Sequence, residues 1–266
     1  MEERCGIWQL EQLIAVGGLG EVWQARSADG ELAALKRLHT HLLRHPAARA
    51  LFEHERRLLN ELPRHPGVVH GLGQGERDGR PWVAMRRVQG CDLRQIMEGQ
   101  TAARGVAPQP RALPTSEALQ VVMHAADAVA HLHDLGWVHG DVVPANLLVE
   151  GALPVVVLCD LGVSRRQGAA GPVQGTQAYM APEQIRGEPW TAATDVFALG
   201  VVLWELLAGR RLYHRGPAWR SMQAIMEEDV PSLGDPALDE LVAAALARDP
   251  ARRLPNARKL AQSLGS

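Results

Sequence analysis

The sequence has 266 residues, of which 46% are hydrophobic and 22% charged, and its formal net charge is −2. A chain of this length can bury one large core or two modest ones, but it is too short for a string of domains. Its charge balance lacks the basic excess typical of proteins that bind nucleic acid or anionic membranes, so we expect neither as a partner.

Cysteine usage and apolar segments favour a cytoplasmic protein. Cys5, Cys91 and Cys159 are far apart, and no pair has the spacing of a metal-binding motif. We therefore expect neither a disulfide framework nor a zinc site, as is usual in a reducing compartment. The N-terminal residues contain no apolar stretch typical of a signal peptide. The most apolar predicted helix, 196–208, is too short to span a bilayer.

The first third of the chain alternates short β-like runs with turn residues. The runs predict strands at 8–15, 21–26, 32–38, 68–73 and 82–88. One helical pattern interrupts them at 47–62, where Leu51, Glu55 and Leu58 share a stripe and Pro63 ends the repeat. Because a glutamate is unusual on an apolar stripe, Glu55 is a candidate functional residue.

After residue 115 the pattern becomes mostly helical. It predicts helices at 116–135, 192–208, 218–228, 237–247 and 257–264. The stretch 101–114 is rich in Pro, Ala and Gly without periodicity, which predicts a surface loop. The sequence therefore predicts an α+β fold with a small β-rich part, residues 1–88, followed by a larger and mainly helical part, residues 89–266.

A glycine-rich segment, residues 15–22, lies between the first two predicted strands. Gly17 and Gly20 would let backbone N–H groups approach a phosphate closely, although a glycine-rich hairpin without a ligand has the same pattern. A dinucleotide-binding fold would place a helix directly after such glycines. Since a strand follows instead, that fold is disfavoured.

Lysine is scarce: only Lys36 and Lys259 are present among 28 basic residues. Lys36 ends the strand-like run Ala-Ala-Leu-Lys, 14 residues after Val22. Arginine and lysine differ in shape and hydration, and in how they bind phosphate. Because 26 of the 28 basic residues are arginines, a lysine at this position indicates a requirement for a compact ammonium, although an exposed strand end would also accept lysine.

Acidic and amide groups lie at the edges of two predicted strand-like segments, 147–149 and 155–158, in the middle of the chain. His139, Asp141 and Asn146 form a His-x-Asp-x-x-x-x-Asn pattern, and Asp160 starts Asp-Leu-Gly after the apolar run 155–158. Hard oxygen ligands of this kind suit Mg²⁺ bound to phosphate groups. The pair of motifs at this spacing is more specific than either motif alone.

These motifs in order resemble those of the eukaryotic-like protein kinase family, most closely the bacterial serine/threonine kinases. The resemblance rests on the glycine loop 15–22, the lysine motif ending at Lys36, segments 139–146 and 160–162, and Gly-Thr-Gln-Ala-Tyr-Met-Ala-Pro-Glu at 175–183. It covers essentially the whole chain. It implies a bilobal kinase fold with residues 1–88 as the N-lobe and residues 89–266 as the C-lobe.

The resemblance also implies a nucleotide site for ATP. Its residues would cover the phosphates, hold the α- and β-phosphates and enclose the adenine, with Met85 beside the base and residues 86–88 as the hinge. They are Ala15, Gly17, Gly20, Val22, Ala34, Lys36, Met85, Arg86, Val88 and Leu148. Glu55 is the predicted partner of Lys36, and Glu53 and Glu61 match the family pattern less well.

The remaining implied roles are catalytic. Asp141 would orient the substrate hydroxyl, and Asn146 and Asp160 would bind Mg²⁺. Thr176 favours serine/threonine over tyrosine as the acceptor. Two structural matches accompany them: Asp195 would brace the catalytic loop, or act as an ordinary residue at a helix N-terminus, and Arg253 would pair with Glu183.

Three positions depart from the family pattern. Ala15 replaces the first glycine of the loop, and Gly140 replaces the arginine that often precedes the catalytic aspartate and receives an activating phosphate. Residues 165–175 contain no Ser, Thr or Tyr, so we expect no phosphorylation switch there. Val143 stands where the family has a lysine, two residues after Asp141. Removing a single electrostatic donor from an active site lowers the catalytic rate by roughly 10²–10³, and we expect a loss of that size here.

The sequence thus favours a Mg·ATP-dependent serine/threonine protein kinase of low or specialised activity. A pseudokinase that binds nucleotide or docks a partner is the alternative, and a small-molecule phosphotransferase is a weaker one. We expect a protein substrate or a regulatory protein as partner. Trp190, Tyr213 and Trp219 are either partner-docking residues or ordinary core residues.

Overall fold

The computed structural model describes residues 3–99, 111–151 and 155–265. Most of the loop predicted at 101–114 lies outside these described residues. Residue contacts divide the chain into two compact units. The first unit comprises Met1–Gln89 with Asp160–Gly162, and the second comprises Gly90–Cys159 with Val163–Ser266.

An antiparallel sheet forms most of the first unit. Its strands are β1 (Arg4–Cys5), β2 (Trp8–Val16), β3 (Gly20–Arg26), β4 (Leu32–Leu38), β5 (Gly71–Arg77) and β6 (Arg80–Arg86). They lie in the order β1-β2-β3-β4-β6-β5. Short turns join β2 to β3 and β5 to β6, so these pairs are hairpins. Trp8, Leu35 and Trp82 are buried together on the sheet.

Helix α1 (Pro46–Glu61) lies between β4 and β5, after a 3-10 turn at Thr40–Leu42. Pro46 occupies its first turn, and the His45 side chain accepts a hydrogen bond from Ala48 N, which fixes the N-terminus. Phe52 and Leu58 are buried along the same face as Glu55. The apolar stripe of the sequence is therefore the buried face of α1.

The predicted strand at 68–73 is wrong in position. Val68 and Val69 are buried, but the regular strand β5 is Gly71–Arg77 and pairs with β6. Apolar burial marked the segment, whereas hydrogen bonding to β6 determines where the strand lies.

The second unit is mainly helical. Its elements are β7 (Gly90–Asp92), α2 (Leu93–Met97), α3 (Thr115–Asp134), β8 (Trp137–Val138), β9 (Leu147–Glu150), β10 (Val155–Leu158), β11 (Arg165–Arg166), α4 (Pro182–Ile185), α5 (Ala192–Ala208), α6 (Ala218–Glu227), α7 (Pro236–Leu246) and α8 (Ala257–Leu264). Strands β10, β9 and β7 form one small sheet, and β11 and β8 form another. Further 3-10 turns occur at Pro144–Asn146, Gln177–Tyr179 and Pro250–Arg252.

Helix α5 is the centre of the second unit. A capping box between Thr191 and Thr194 starts it, and Gly209 in the left-handed conformation (φ +63°) ends it. Nearly every residue between these ends is buried, and α3, α7 and α8 all contact α5. The predicted α+β fold class is confirmed, with a β-rich first unit and a mainly helical second unit.

Candidate active site

The sheet of the first unit places five of the predicted nucleotide-binding residues on one face. Ala15 is paired with Val22, and Val22 with Lys36, across β2, β3 and β4. Ala34 precedes Lys36 by two residues and is paired with Met85 of β6. Because directly paired residues, and residues two apart on a strand, share a face, these side chains project from the same side of the sheet.

The glycine-rich loop is the turn of the β2–β3 hairpin. Gly17 N donates to Gly20 O at 2.8 Å, and His39 Nε2 lies 2.9 Å from Gly17 O. A Cβ at Gly20 would overlap the carbonyl group of Arg37 on β4. Gly20 is therefore required by close approach of two strands, whether or not a phosphate lies over the loop.

Lys36 and Glu55 form a buried ion pair. Lys36 Nζ donates to Glu55 Oε1 at 2.8 Å and to Oε2 at 2.6 Å, and Glu55 is 2% exposed. Glu55 lies on the buried face of α1, so the helix places the carboxylate against the end of β4. The predicted contact is present.

Asp160 belongs to the same unit and provides a second carboxylate to Lys36. Its Oδ1 accepts a hydrogen bond from Lys36 Nζ at 3.3 Å. Burial alone would lower the pKa of the Lys36 ammonium, but the Glu55 and Asp160 carboxylates outweigh it and raise that pKa above its usual value. Lys36 is therefore held as a cation in a buried position.

The backbone at Asp160 is unusual for a residue with a side chain. Its φ is +63°, in the left-handed region. A Cβ at Gly162 would lie 3.3 Å from Asp160 Oδ1 and 3.7 Å from Glu55 Oε2. The glycine of Asp-Leu-Gly thus leaves room beside both carboxylates. The strained conformation at Asp160 is typical of functional sites.

The predicted hinge and adenine residues are divided between the units. Met85 and Val88 are buried in the first unit, and Arg86 N donates to His70 O at 3.0 Å. Leu148 lies on β9 of the second unit, paired with Val157. The prediction that Ala34 and Leu148 enclose one adenine ring therefore stays a prediction.

The predicted catalytic loop, residues 139–146, is held by hydrogen bonds in the second unit. Asp141 Oδ1 accepts from Thr176 N at 2.7 Å, and Asp141 Oδ2 accepts from Asn146 Nδ2 at 3.2 Å. Asn146 Nδ2 also donates to Asp141 O at 2.9 Å. These contacts bring Asp141, Asn146 and Thr176 together. Thr176 reaches Asp141 through its backbone N–H.

Asp195 on α5 anchors this loop through hydrogen bonds to its backbone. Its carboxylate accepts hydrogen bonds from His139 N and Gly140 N, each at 2.8 Å, and lies 2.9 Å from His133 Nε2. Burial would raise the pKa of Asp195, but the His133 side chain and the loop outweigh it and lower that pKa. The family motifs mark Asp195 in the sequence, whereas no motif marks His133.

The second predicted structural pair is also present. Arg253 Nη1 and Nη2 donate to Glu183 at 2.8 and 3.1 Å, and both side chains are buried. Thr194 Oγ1 donates to the same carboxylate at 2.9 Å. A two-bond guanidinium contact of this kind fixes the end of the 175–183 segment to the body of the unit.

Two departures from the expected pattern have a structural setting. Val143 is 4% exposed and packs inside the second unit. Gly140 has φ +78°, and a Cβ there would lie 2.9 Å from Cε3 of Trp190 and closer still to Cζ3.

The three residues considered for partner docking differ in exposure. Trp190 is fully buried and Tyr213 is 2% exposed, so both are core residues. Trp219 is 58% exposed.

The chain belongs to the protein kinase family, because the family described as "Protein kinase domain" matches residues 8–264. Among relatives, the serine/threonine-protein kinase PknJ of Mycobacterium tuberculosis is 30% identical over 273 residues, or 96% of this chain and 44% of PknJ. The probable serine/threonine-protein kinase PknB of Corynebacterium glutamicum is 30% identical over 280 residues, or 97% of this chain and 42% of that relative. The serine/threonine-protein kinase PknD of M. tuberculosis is 31% identical over 269 residues, or 96% of this chain and 39% of PknD.

The chain thus spans less than half the length of these curated relatives. Within the described ranges 3–99, 111–151 and 155–265, no helix combines the length and apolar character needed to cross a membrane.

Proposed function

We propose that this chain is a single protein kinase domain that transfers the γ-phosphate of Mg·ATP to a serine or threonine hydroxyl of a protein. The observation that carries the proposal is the contact of buried Lys36 with the buried Glu55 carboxylate and with the partly exposed Asp160 carboxylate. Taking the Lys36 ammonium and the Glu55 carboxylate out of water costs free energy that their attraction repays only with good geometry, so stability alone is a weak explanation for the pair. A cation held at a fixed point beside a glycine-rich hairpin suits phosphate binding.

The first unit supplies the groups that would bind ATP. Lys36 would contact the α- and β-phosphates, with Glu55 fixing the direction of the ammonium. The backbone of the β2–β3 turn would cover the phosphates, and the face carrying Val22 and Ala34 would contact the adenine. Met85, Arg86 and Val88 would line the edge of the base.

The residues predicted to hold Mg²⁺ have a suitable donor set. Both hydrogen bonds of the Asn146 amide described above use Nδ2, which leaves the amide oxygen as the atom presented to a metal. Asp160 offers a carboxylate whose side chain is 46% exposed. Amide and carboxylate oxygens are the ligands that Mg²⁺ prefers. When bound, Mg²⁺ would neutralise charge on the phosphate oxygens.

Asp141 would orient the attacking hydroxyl and receive its proton. Its two oxygens are held by Thr176 N and Asn146 Nδ2, so the carboxylate has a defined direction. Such pre-orientation accounts for much of the rate enhancement in phosphoryl transfer, where little covalent chemistry is left to the protein.

The second candidate function is a pseudokinase, and Val143 is the observation that favours it. A buried valine offers no charge to the transferring phosphate, and the loss of one such group costs roughly 10²–10³ in rate. A small-molecule phosphotransferase is less well supported. The segment 175–183, which small-molecule phosphotransferases and their relatives lack, is present in this chain, and the contact between Glu183 and Arg253 anchors it.

Lysine scarcity supplies a matched pair of variants for the test. Lys36→Arg keeps the charge but replaces the compact ammonium, whereas Lys259→Arg makes the same change on the exposed face of α8. We expect Lys36→Arg to weaken Mg·ATP binding and γ-phosphate transfer by about 10²-fold or more. Lys259→Arg should behave as the wild type. Equal effects of the two changes would overturn the assignment of the ATP site.

Val143→Lys then separates kinase from pseudokinase. If transfer by the wild type is limited by the missing lysine, Val143→Lys should raise the rate by about 10²-fold. A protein that binds Mg·ATP but transfers no phosphate to itself or to a basic protein, before and after this change, is a pseudokinase.

A further inference from the structure

The segment 165–175 is fixed in the second unit, although it contains no residue that can be phosphorylated. Its first residue, Arg165, places its guanidinium over the ring of Trp190, with 3.8 Å between the central carbon and the ring centroid. Trp190 is fully buried. A guanidinium stacked on a buried tryptophan is a strong form of the cation–π interaction.

Arg165 also closes the segment on itself. Its Nη2 donates to Pro172 O at 2.7 Å and to Gln174 Oε1 at 2.9 Å. A Cβ at Gly171 would overlap the guanidinium, so the glycine lets the backbone turn around it. The Arg165 side chain thus joins the first residue of the segment to Pro172 and Gln174 near its other end.

The backbone of Trp190 contacts the same segment. Gly168 N donates to Trp190 O at 2.7 Å, and Trp190 N donates to Ala169 O at 3.2 Å. Trp190 is therefore bound to residues 165–169 through its ring face and through both of its backbone groups.

The benzo edge of Trp190 faces the catalytic loop. It fills the space beside Gly140, where a Cβ would come within 3.0 Å of Cη2 and nearer to Cζ3. Gly140 N donates to Asp195, and Gly140 O accepts from Gln184 Nε2 at 2.8 Å, so its position is fixed from three directions. Asp141 is the next residue along the chain.

We propose that Trp190 and Arg165 are positioning residues, and that their stack holds the segment 165–175 against the catalytic loop without a phosphate. The inference rests on the proposed kinase function. In this arrangement, the tryptophan ring occupies the place opened by Gly140. The arginine lies on the segment itself, where its guanidinium contacts an aromatic face and Nη2 donates to two acceptors, while Nη1 is buried without a hydrogen-bond partner among the described residues. The unphosphorylated chain then already has the segment in its active position, and activity does not depend on phosphorylation of the segment.

The adjacent residue provides a matched control. Arg166 stacks on Trp137 at 4.3 Å, and its Nη1 donates to Leu135 O at 3.0 Å. Arg166 is exposed, and its contacts are with Trp137 and Leu135 in place of Trp190. Arg165→Ala and Arg166→Ala therefore each remove one cation–π contact from the same short strand, and only the first removes the contact with Trp190.

The experiment uses the whole chain, with its unphosphorylated state checked by intact mass. Two quantities are measured: phosphate transfer to a basic protein, and hydrogen exchange of the amides of residues 167–176. We expect Arg165→Ala to lower kcat by about tenfold or more and to speed amide exchange in the segment, with the KM for ATP changed less than about twofold. Arg166→Ala should leave kcat within about twofold of the wild type.

Conservative variants test the aromatic stack itself. Arg165→Lys keeps the charge but loses the planar group, and Trp190→Phe keeps an aromatic face. Each should give an intermediate kcat and intermediate exchange, whereas a purely structural role would change the unfolding midpoint alone. Trp190→Phe also remains informative if larger truncations of this core residue do not fold.

Two outcomes would contradict the inference. If Arg165→Ala and Arg166→Ala give the same kcat and the same exchange in residues 167–176, the stack does not position the segment. If full activity instead requires phosphate at any residue of the second unit, the built-in arrangement is wrong. A wild type that transfers no phosphate refutes the kinase proposal, and amide exchange alone then decides whether Arg165 and Trp190 hold the segment.

Discussion

Replacing Gly140 by alanine is the sharpest structural test of the contact with Trp190. The residue has φ +78°, and placing an alanine in the left-handed region costs about 1–2 kcal/mol. The new Cβ would also overlap the Trp190 ring, which is fully buried and cannot move aside as an exposed side chain could. Overpacking of a filled core adds about 1–3 kcal/mol. Gly140→Ala should therefore lower the free energy of unfolding by about 2–5 kcal/mol.

A second glycine separates the two contributions. Gly168 has φ +81°, and apart from its own atoms and those of its two chain neighbours, no heavy atom of the described residues lies within 4 Å of the place that a Cβ would take, so Gly168→Ala carries the backbone strain without the overlap. Urea unfolding should show a loss of about 1–2 kcal/mol for Gly168→Ala and a larger loss for Gly140→Ala. The double variant Gly140→Ala with Trp190→Leu should recover the difference, because the ring that causes the overlap is gone.

The reasoning is refuted if Gly140→Ala and Gly168→Ala are equally destabilised. It is also refuted if the changes at Gly140 and Trp190 are additive within about 0.5 kcal/mol, since additive effects mean that the two residues do not touch.

Three further changes have defined outcomes. Glu55→Gln removes the charge that directs Lys36 and should lower kcat/KM for ATP by about 10²-fold; it should also lower the free energy of unfolding, because buried Lys36 is left with Asp160 as its carboxylate partner. Arg253→Met leaves the Glu183 carboxylate buried without its guanidinium and should lower the free energy of unfolding by about 3–5 kcal/mol in urea. The lowered pKa of Asp195 means that its stabilising contribution is present above about pH 4 and lost below it, so Asp195→Asn should flatten the acid decline of stability.

Each of these changes has its own contrary result. Glu53→Gln alters a partly exposed residue of α1, two positions before Glu55, and should leave ATP kinetics unchanged, so a loss equal to that of Glu55→Gln would exclude a special role for Glu55. Arg252→Met changes an exposed arginine and should leave the free energy of unfolding nearly unchanged. An equal loss of stability in Arg252→Met and Arg253→Met would contradict the role given to the Arg253–Glu183 pair. A wild-type stability curve parallel to that of Asp195→Asn below about pH 4 would show that Asp195 is not the titrating group.

The elements with strong periodicity were predicted closely from the sequence. The helices at 192–208 and 257–264 and the strand at 32–38 have the predicted bounds. For α5, a capping box and a left-handed glycine limit the helix at both ends, and such signals are local. Strand β5 carries glycines and polar residues with no apolar alternation, so its position depends on β6 and could not be read from its own residues.

Residues of the candidate site could be predicted where the neighbouring sequence makes them unusual. Glu55 was marked by its place on an apolar stripe, and Lys36 by the rarity of lysine. The contact of Trp190 with Gly140 joins residues 50 positions apart, and no local pattern reports which buried ring fills which gap. In the sequence, Gly140 appears only as a missing arginine, whereas the structure shows a tryptophan in the space beside it. The return of Asp160–Gly162 to the first unit was likewise not predicted by a single division near residue 88.

The most direct test of the proposed function is the ratio of γ-phosphate transfer rates between the wild type and Asp141→Asn, measured with Mg·ATP and a basic protein as acceptor. The change keeps the size of the side chain but removes the carboxylate that would take the proton of the hydroxyl. We expect the wild type to transfer phosphate to serine or threonine and Asp141→Asn to be slower by about 10²-fold or more. Equal rates for the two proteins would contradict the assignment of Asp141 and, with it, the kinase proposal.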